Sequence, residues 1–225
     1  MSSVSPTHTP VPGLGDPQQM RRVLFSSFLG SMVDFYDFLL YGTAAALVFG
    51  QLFFSNLEPV VATIASFGTL AAGYIARPVG GIVFGHFGYR IGRKSMLIIT
   101  MSLMGIASTL IGLLPTYKAV GWIAPVLLVL LRLVQGLAVG GEWGGAALMA
   151  LEHANDRGRG FAGSFANMGA PAGAVLSTVV LAIVTLLPVD DFLAWGWRIP
   201  FLLSAALVGL GLYVRLKVTE TPLFE

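Results

Sequence analysis

Residues 124–151 read APVLLVLLRLVQGLAVGGEWGGAALMAL, an apolar run of 28 residues that contains one arginine, one glutamine and one glutamate. As an α-helix this run would reach about 42 Å, more than the hydrocarbon core of a bilayer, which is about 30 Å thick. Comparable runs occupy residues 23–50, 60–87, 95–114, 161–187 and 198–216. Lipid does not tolerate open strand edges, so the sequence predicts an all-α membrane protein, a six-transmembrane-helix bundle.

Composition supports this fold class. Hydrophobic residues make up 56% of the chain, charged residues only 11%, and the mean hydropathy is +0.81. There is no cysteine, which excludes disulfides and a thiol nucleophile. The three histidines show no metal-ligand spacing, and no nucleophile-elbow pattern occurs. We therefore predict no enzyme activity, no cofactor and no metal, and the scattered cations do not favour a nucleic-acid partner.

The loop charges predict the orientation of the bundle. Residues 1–20 are predicted to form a disordered cytoplasmic tail, because they are rich in proline and glycine and have no apolar core. Nine cations fall on the side of that tail: Arg21, Arg22, Arg90, Arg93, Lys94, Arg157, Arg159, Arg215 and Lys217. The opposite side has Lys118, Arg198 and the acidic pair Asp190 and Asp191. By the positive-inside rule, both termini of this multi-pass protein are expected in the cytoplasm, with the plasma membrane as its location.

Charges also occur inside the apolar runs. Five ionisable residues lie at bilayer depth: Asp34, Asp37, Arg77, Arg132 and Glu142. Each costs roughly 2.5–3.5 kcal/mol on insertion scales, which is a large expense for a simple anchor. Their presence predicts a polar path through the membrane.

Counting residues from the cytoplasmic helix ends predicts two charged layers. Asp34, Arg77 and Glu142 are expected about 15–18 Å above the cytoplasmic border, where they could neutralise one another. A second layer is expected to pair Arg132 with Asp37 or with the Tyr41 hydroxyl. Helical spacing places Asp34, Asp37 and Tyr41 on one face of the first helix.

A second polar face is predicted on the fourth helix, where Arg132, Gln135 and Glu142 share one side. Where two such faces meet, a carboxylate can take up a proton when its arginine partner moves away. The alternative interpretation is a set of fixed ion pairs that only orders the helices.

Glycines are concentrated in the helical runs rather than in the loops. The chain has 28 of them, and pairs such as Gly136 and Gly140 or Gly169 and Gly173 are spaced by four. Small residues at this spacing allow close helix approach in membranes, so they predict tight helix packing.

Five blocks of sequence resemble the major facilitator superfamily and, within it, the metabolite:proton symporter family that includes α-ketoglutarate, shikimate and proline/betaine permeases. The blocks are Asp34–Gly42, Arg77–Gly81, Gly85–Lys94, Arg132–Glu142 and Trp195–Phe201. The resemblance covers residues from about 21 to 225.

The resemblance implies the N-terminal half of a twelve-helix transporter that works by alternating access, with a cavity lined by the first, second, fourth and fifth helices. The resulting candidates for proton coupling are Asp34, Asp37, Arg132 and Glu142. The candidates for binding the solute are Tyr41, Arg77, Arg132 and Gln135. The implied partners are a small-molecule solute, protons and the lipid bilayer.

The loop after the second helix is expected to act as a conformational switch. Its candidate residues are Gly85, Gly88, Tyr89, Arg90, Gly92, Arg93 and Lys94. The superfamily pattern has an aspartate at the position of Tyr89, where it helps latch the two halves together. A phenol cannot replace those charge-assisted bonds in strength, so an altered switch is predicted.

The chain ends at Glu225, where the family continues into six more helices. A C-terminal six-helix half is therefore expected but absent, and the sequence is interpreted as a truncated half of a secondary active transporter. The predicted activity is proton-coupled symport of a small organic acid, amino acid or osmolyte. The alternatives are a nontransporting remnant and a membrane helix-bundle interaction protein.

Overall fold

The computed structural model describes residues 17–153 and 159–217, and within these ranges the chain is helical with no strand. Six long helices form the bundle: α1 (Pro17–Ala44), α2 (Pro59–Ile91), α3 (Arg93–Leu113), α4 (Ile123–His153), α5 (Arg159–Val184) and α6 (Arg198–Leu216). Among the described residues, six helices are long and apolar enough to cross a membrane. The predicted all-α, six-helix fold is confirmed.

Several helix boundaries differ from the predicted ones. Residues 1–16 of the predicted tail lie outside the described residues, whereas Pro17–Met20 already belong to α1. Beyond Ala44 the first span continues through a π-helical turn, Ala45–Phe49, into a short helix, Gly50–Phe53. Short helical segments at Tyr117–Val120, Val189–Asp191 and Phe192–Gly196 lie between the long helices.

The predicted switch loop is mostly helical. Helix α2 runs to Ile91, and α3 begins at Arg93, so Gly92 alone joins them. Its φ of 97° lies in the region that favours glycine, which allows one residue to reverse the chain. The sequence-based prediction gave a longer loop because residues 88–94 are polar and contain two glycines, a composition that does not reveal a turn of one residue.

Two helix pairs are packed backbone to backbone, as the glycine spacing predicted. In the α2–α4 pair, a Cβ atom on Gly136 would collide with the Gly73 carbonyl oxygen. One turn along, a Cβ atom on Gly140 would collide with the Arg77 carbonyl oxygen. Only glycine permits so close an approach, so this seam fixes the position of α2 relative to α4.

The α1–α5 pair has the same kind of seam. Gly169 lies against the Phe28 carbonyl oxygen, and Gly173 lies against the Met32 carbonyl oxygen. Helices α3 and α6 complete the bundle: they pack on each other, α3 also packs on α4, and α6 also packs on α1. The four helices of the two seamed pairs surround the polar interior.

We expect Gly136→Ala to lower the free energy of unfolding by about 1–3 kcal/mol, because the new methyl group meets backbone that cannot move aside. Gly68→Ala is the matched control, since a Cβ atom at Gly68 of α2 has no neighbour within 4 Å. There alanine should be neutral or stabilising by up to about 1 kcal/mol. Thermal unfolding of the purified chain, followed by circular dichroism, compares the two; equal melting temperatures would contradict the seam.

Candidate functional site

A cleft of about 670 Å³ opens between α1, α2, α4 and α5. These are the four helices that the family resemblance implied. Its wall includes Asp34 and Phe38 from α1, Tyr74 and Arg77 from α2, and Asn167 from α5. The volume lies within the range typical of small-molecule sites.

Arg77 is held in this cleft by two aromatic rings. Its guanidinium carbon lies 4.8 Å from the ring centre of Phe38 and 4.7 Å from that of Tyr74. The two rings meet edge to face, with centroids 5.2 Å apart. No residue in the described ranges accepts a hydrogen bond from Arg77. Both rings therefore contact the guanidinium from one side, and its N–H groups stay available for the paired hydrogen bonds that arginine makes to a carboxylate.

Asp34 lies in the same wall and is almost fully buried, at 6% exposed. Its Oδ1 atom has no hydrogen-bond partner among the described residues. The predicted layer of Asp34, Arg77 and Glu142 is therefore only partly assembled. Asp34 and Arg77 share the cleft, but Glu142 has a different partner.

Glu142 forms a buried ion pair with Arg215 of α6. Arg215 also donates a hydrogen bond from Nη1 to the Leu97 carbonyl oxygen, at 2.6 Å. A Cβ atom on Gly30 would collide with Arg215 Nη2 and would lie 2.9 Å from Glu142 Oε1, so the missing side chain at Gly30 makes room for the pair. The predicted neutralisation of Glu142 by Arg77 is wrong.

Arg215 itself was assigned from the sequence to the cytoplasmic loop cations. It lies instead in the last turn of α6, and its side chain is only 3% exposed. The apolar run 198–216 does not show which way its last arginine points, and the glycine that admits the side chain belongs to another helix. The pairing of Arg215 with Glu142 could therefore not be predicted from residue spacing.

We expect Arg215→Met to destabilise the chain by about 3–5 kcal/mol, because it leaves the Glu142 carboxylate buried without a counter-charge. The double variant Glu142→Gln/Arg215→Met should recover a large part of this loss. Thermal unfolding of the parent, both single variants and the double variant gives the coupling energy. Additive losses would show that the two side chains do not depend on each other.

Behind the cleft is a second, much smaller cavity of about 10 Å³, lined by Asp34, Asp37, Arg77, Arg132 and Gln135 among others. This is about the space that one water molecule needs. Two buried atoms of its lining residues, Asp34 Oδ1 and Arg132 Nε, have no hydrogen-bond partner in the described structure. The small cavity therefore connects Asp34, which also lines the cleft, with the buried side chains of Asp37 and Arg132.

Asp37 is a buried carboxylate, 3% exposed, and is held by two serines. Ser108 of α3 donates to its Oδ2 atom at 2.5 Å, and Ser204 of α6 donates to Oδ1. Gln135 Nε2 donates to Ser108 Oγ at 2.7 Å, and Arg132 Nη1 donates to Gln135 Oε1 at 3.0 Å. Arg132 is therefore linked to Asp37 through two intervening side chains, and the predicted direct pairing is not observed among the described residues.

The direction of these hydrogen bonds is set by Asp37. An ionised carboxylate can only accept, so the single Ser108 hydrogen points to Asp37 and the Ser108 oxygen must accept from Gln135. That places the Gln135 carbonyl oxygen towards Arg132. A change of charge at Asp37 would thus alter the hydrogen bond between Gln135 and Arg132.

Tyr41 meets Arg132 through its ring and not through its hydroxyl group. The Arg132 guanidinium carbon lies 4.1 Å from the centre of the Tyr41 ring. The hydroxyl pairs with Thr69 Oγ1 at 2.6 Å, and because Thr69 gives its own hydrogen to the Ser66 carbonyl oxygen, Tyr41 is the donor. The predicted bond between Arg132 and the Tyr41 hydroxyl is wrong, and a cation–π contact takes its place.

The predicted solute-binding residues therefore occupy two depths. Arg77 faces the cleft, while Tyr41, Arg132 and Gln135 are buried behind it. At the predicted switch, Lys94 Nζ donates to the Leu216 carbonyl oxygen at 3.2 Å, which ties the start of α3 to the end of α6. The Tyr89 side chain lies outside what the structure describes.

Sequence reasoning missed the residues that position these charges. They are Phe38 and Tyr74 around Arg77, Ser108 and Ser204 around Asp37, and Arg215 beside Glu142. The serines gave a weak signal at most, because a helical serine commonly satisfies its hydroxyl on its own backbone.

Fold and site together define a multi-pass membrane protein whose interior contains an arginine fork beside a buried carboxylate. A family model described as "Sugar (and other) transporter" matches residues 23–225. The chain belongs to this family, within the major facilitator superfamily, and has the fold of its N-terminal six-helix half.

Curated relatives agree with this assignment. The shikimate transporter of Escherichia coli (strain K12) is 50% identical over 206 residues, which cover 91% of this chain and 47% of the relative. The glycine betaine/proline/ectoine/pipecolic acid transporter OusA of Dickeya dadantii (strain 3937) is 42% identical over 93% of this chain and 42% of its own length. The chain thus spans about half the length of these relatives.

Among solved structures, the inward-open conformation of the xylose transporter XylE from E. coli matches with a TM-score of 0.77 at 19% identity. The match covers 91% of this chain and 49% of that one. A crystal structure of a D-xylose–proton symporter matches with a TM-score of 0.78 at 21% identity. At these identities the likeness shows the fold alone.

Proposed function

We propose that this chain supplies the N-terminal half of a proton-coupled symporter for a small carboxylate-bearing solute, either an organic acid, an amino acid or an osmolyte. The observation that carries the proposal is that Arg77, whose N–H groups have no acceptor among the described residues, lies in one cleft with the buried carboxylate of Asp34. The names of the relatives, which include shikimate and betaine transporters, support this solute class.

In this proposal Arg77 binds the solute carboxylate as a fork, and its two aromatic rings keep the guanidinium from turning away. Asp34 then faces the rest of the solute. A charged Asp34 favours a solute that also has an ammonium group, whereas a protonated Asp34 favours a plain organic anion. Tyr41, Arg132 and Gln135 support the site from behind the cleft and reach the solute only after the helices rearrange.

Protons enter the proposal through Asp34 and Asp37. Protonation of Asp37 would weaken the two serine bonds, free Ser108 to turn, and release Gln135 and Arg132 in sequence. Glu142 would become a further proton site when Arg215 moves away from it. The coupling would therefore act through hydrogen bonds that join α1, α3 and α4.

The proposed transport cycle needs a second six-helix half, since a solute between two halves is enclosed only when both are present. Residues 85–94 would form the switch on the cytoplasmic side, with both termini of the chain in the cytoplasm and the plasma membrane as its location. The excess of cations in the loops on that side supports this orientation.

A chimera tests the proposal. The chain replaces the matching segment of the E. coli shikimate transporter, and uptake of radiolabelled shikimate, shikimate methyl ester and glycine betaine is measured with and without a protonophore. We expect uptake of at least one carboxylate, loss of uptake with the protonophore, and no uptake of the ester. A chimera that inserts and folds but transports none of these solutes would favour the nontransporting helix bundle.

A further inference from the structure

A second cleft, of about 580 Å³, lies away from the transport site, at one border of the membrane-spanning region. Three cations line it: Arg21 and Arg22 at the start of the first span, and Lys217 just after the last. All three are exposed. The part of its lining within the apolar spans includes Phe25 and Val214.

The shape of this cleft follows from how three helices meet. The first turns of α1 pack on α5 through Leu24 and Phe165, while the last turn of α6 contributes Val214 and Lys217. Phe25 remains 49% exposed although it is next to Leu24 in the chain. The cleft therefore has a cationic rim outside the apolar span and an apolar floor inside it.

The charge of the rim selects the ligand. Among the described residues, the lining of the cleft includes no carboxylate, so no acidic side chain in this part of the chain neutralises the three cations there. Lys217 is held by Tyr213, whose hydroxyl accepts a hydrogen bond from Nζ at 2.5 Å, but that contact leaves its charge in place. A phosphate group satisfies such a rim, and acyl chains satisfy such a floor.

We propose that this cleft binds one anionic phospholipid, with its phosphate at Arg21, Arg22 and Lys217 and its acyl chains along Phe25 and Val214. A soluble phosphate ester would use the rim alone and would leave the apolar floor in water. A zwitterionic lipid would fill the floor but would add its own cation to a rim that already has three. The site is independent of the transport cleft and of any solute.

The test uses the full 225-residue chain in mild detergent. Native mass spectrometry measures the affinity for the first bound phosphatidylglycerol, and phosphatidylcholine of the same chain length serves as the comparison. We expect Arg22→Gln/Lys217→Gln to weaken phosphatidylglycerol binding about thirtyfold, roughly fivefold for each cation near the lipid. Arg90→Gln/Lys118→Gln removes the same charge from two exposed positions elsewhere and should change the affinity less than twofold.

Each remaining outcome has a defined meaning. Equal affinities for the two lipids, or equal losses in the two double variants, would overturn the proposal. Competition by glycerol 3-phosphate at the concentration where phosphatidylglycerol binds would assign the cleft to a soluble phosphate instead. If the first double variant does not fold, Lys217→Gln alone should still give about a fivefold loss, and no loss would overturn the proposal as well.

Discussion

Replacing Arg77 by glutamine in the chimera is expected to raise the KM for a carboxylate solute by at least about thirtyfold. Removing one partner of a desolvated, hydrogen-bonded charge pair typically costs about 2–5 kcal/mol, and glutamine offers neither the charge nor the fork. Arg77→Lys should recover only part of the loss, because a lysine keeps the charge but does not bind a carboxylate in two parallel bonds. Initial uptake rates over a range of solute concentrations give the KM of each variant.

The matched control for Arg77 is Lys118→Gln, which removes an exposed cation outside both the cleft and the proposed switch. Its KM should stay within about twofold of the parent value. An unchanged KM in Arg77→Gln, with the chimera present in the membrane at parental levels, would remove Arg77 from the solute site.

Asp37→Asn is expected to abolish proton-driven accumulation while solute exchange continues. Asparagine has nearly the same shape, but it cannot lose a proton, and its amide nitrogen donates where Asp37 accepts from a serine. The hydrogen bonds from residue 37 through Ser108 and Gln135 to Arg132 then no longer respond to a change of charge at residue 37. Accumulation against a pH gradient, compared with counterflow exchange in the same vesicles, separates the two activities.

Asp191→Asn is the control for Asp37, since it removes an exposed carboxylate from the short helix Val189–Asp191, between α5 and α6. It should accumulate solute as the parent does. Equal accumulation by parent and Asp37→Asn would exclude Asp37 as the coupling site, and Asp34 would then be the next acid to test.

The fold could be predicted from the sequence because every backbone polar group in the lipid core must be hydrogen-bonded within the protein. Long apolar runs must be helices, and the run 198–216 has the same limits in the sequence and in the structure. The convergence of Asp34, Asp37, Arg77 and Arg132 on one interior was also predictable, since each lies at bilayer depth on a polar face. Residue spacing was enough for both conclusions.

The partners of these charges could not be predicted, because they depend on helix rotation and on small residues in other helices. Glu142 meets Arg215 only where Gly30 leaves room. Arg77 is held by Phe38, which lies on a helix about forty positions earlier. Ser108 and Ser204 are ordinary residues of apolar helices until the fold brings both to Asp37.

The two glycine seams have a mechanical consequence. Helices α1 and α5 are in contact along their backbones, and so are α2 and α4. We therefore expect each pair to move as one rigid body. The cleft proposed to bind the solute lies between these two helix pairs, with Asp34 on one pair and Arg77 on the other. A solute that contacts both side chains would connect the two pairs, and we expect the cleft to change width by movement of whole pairs and not by bending of single helices.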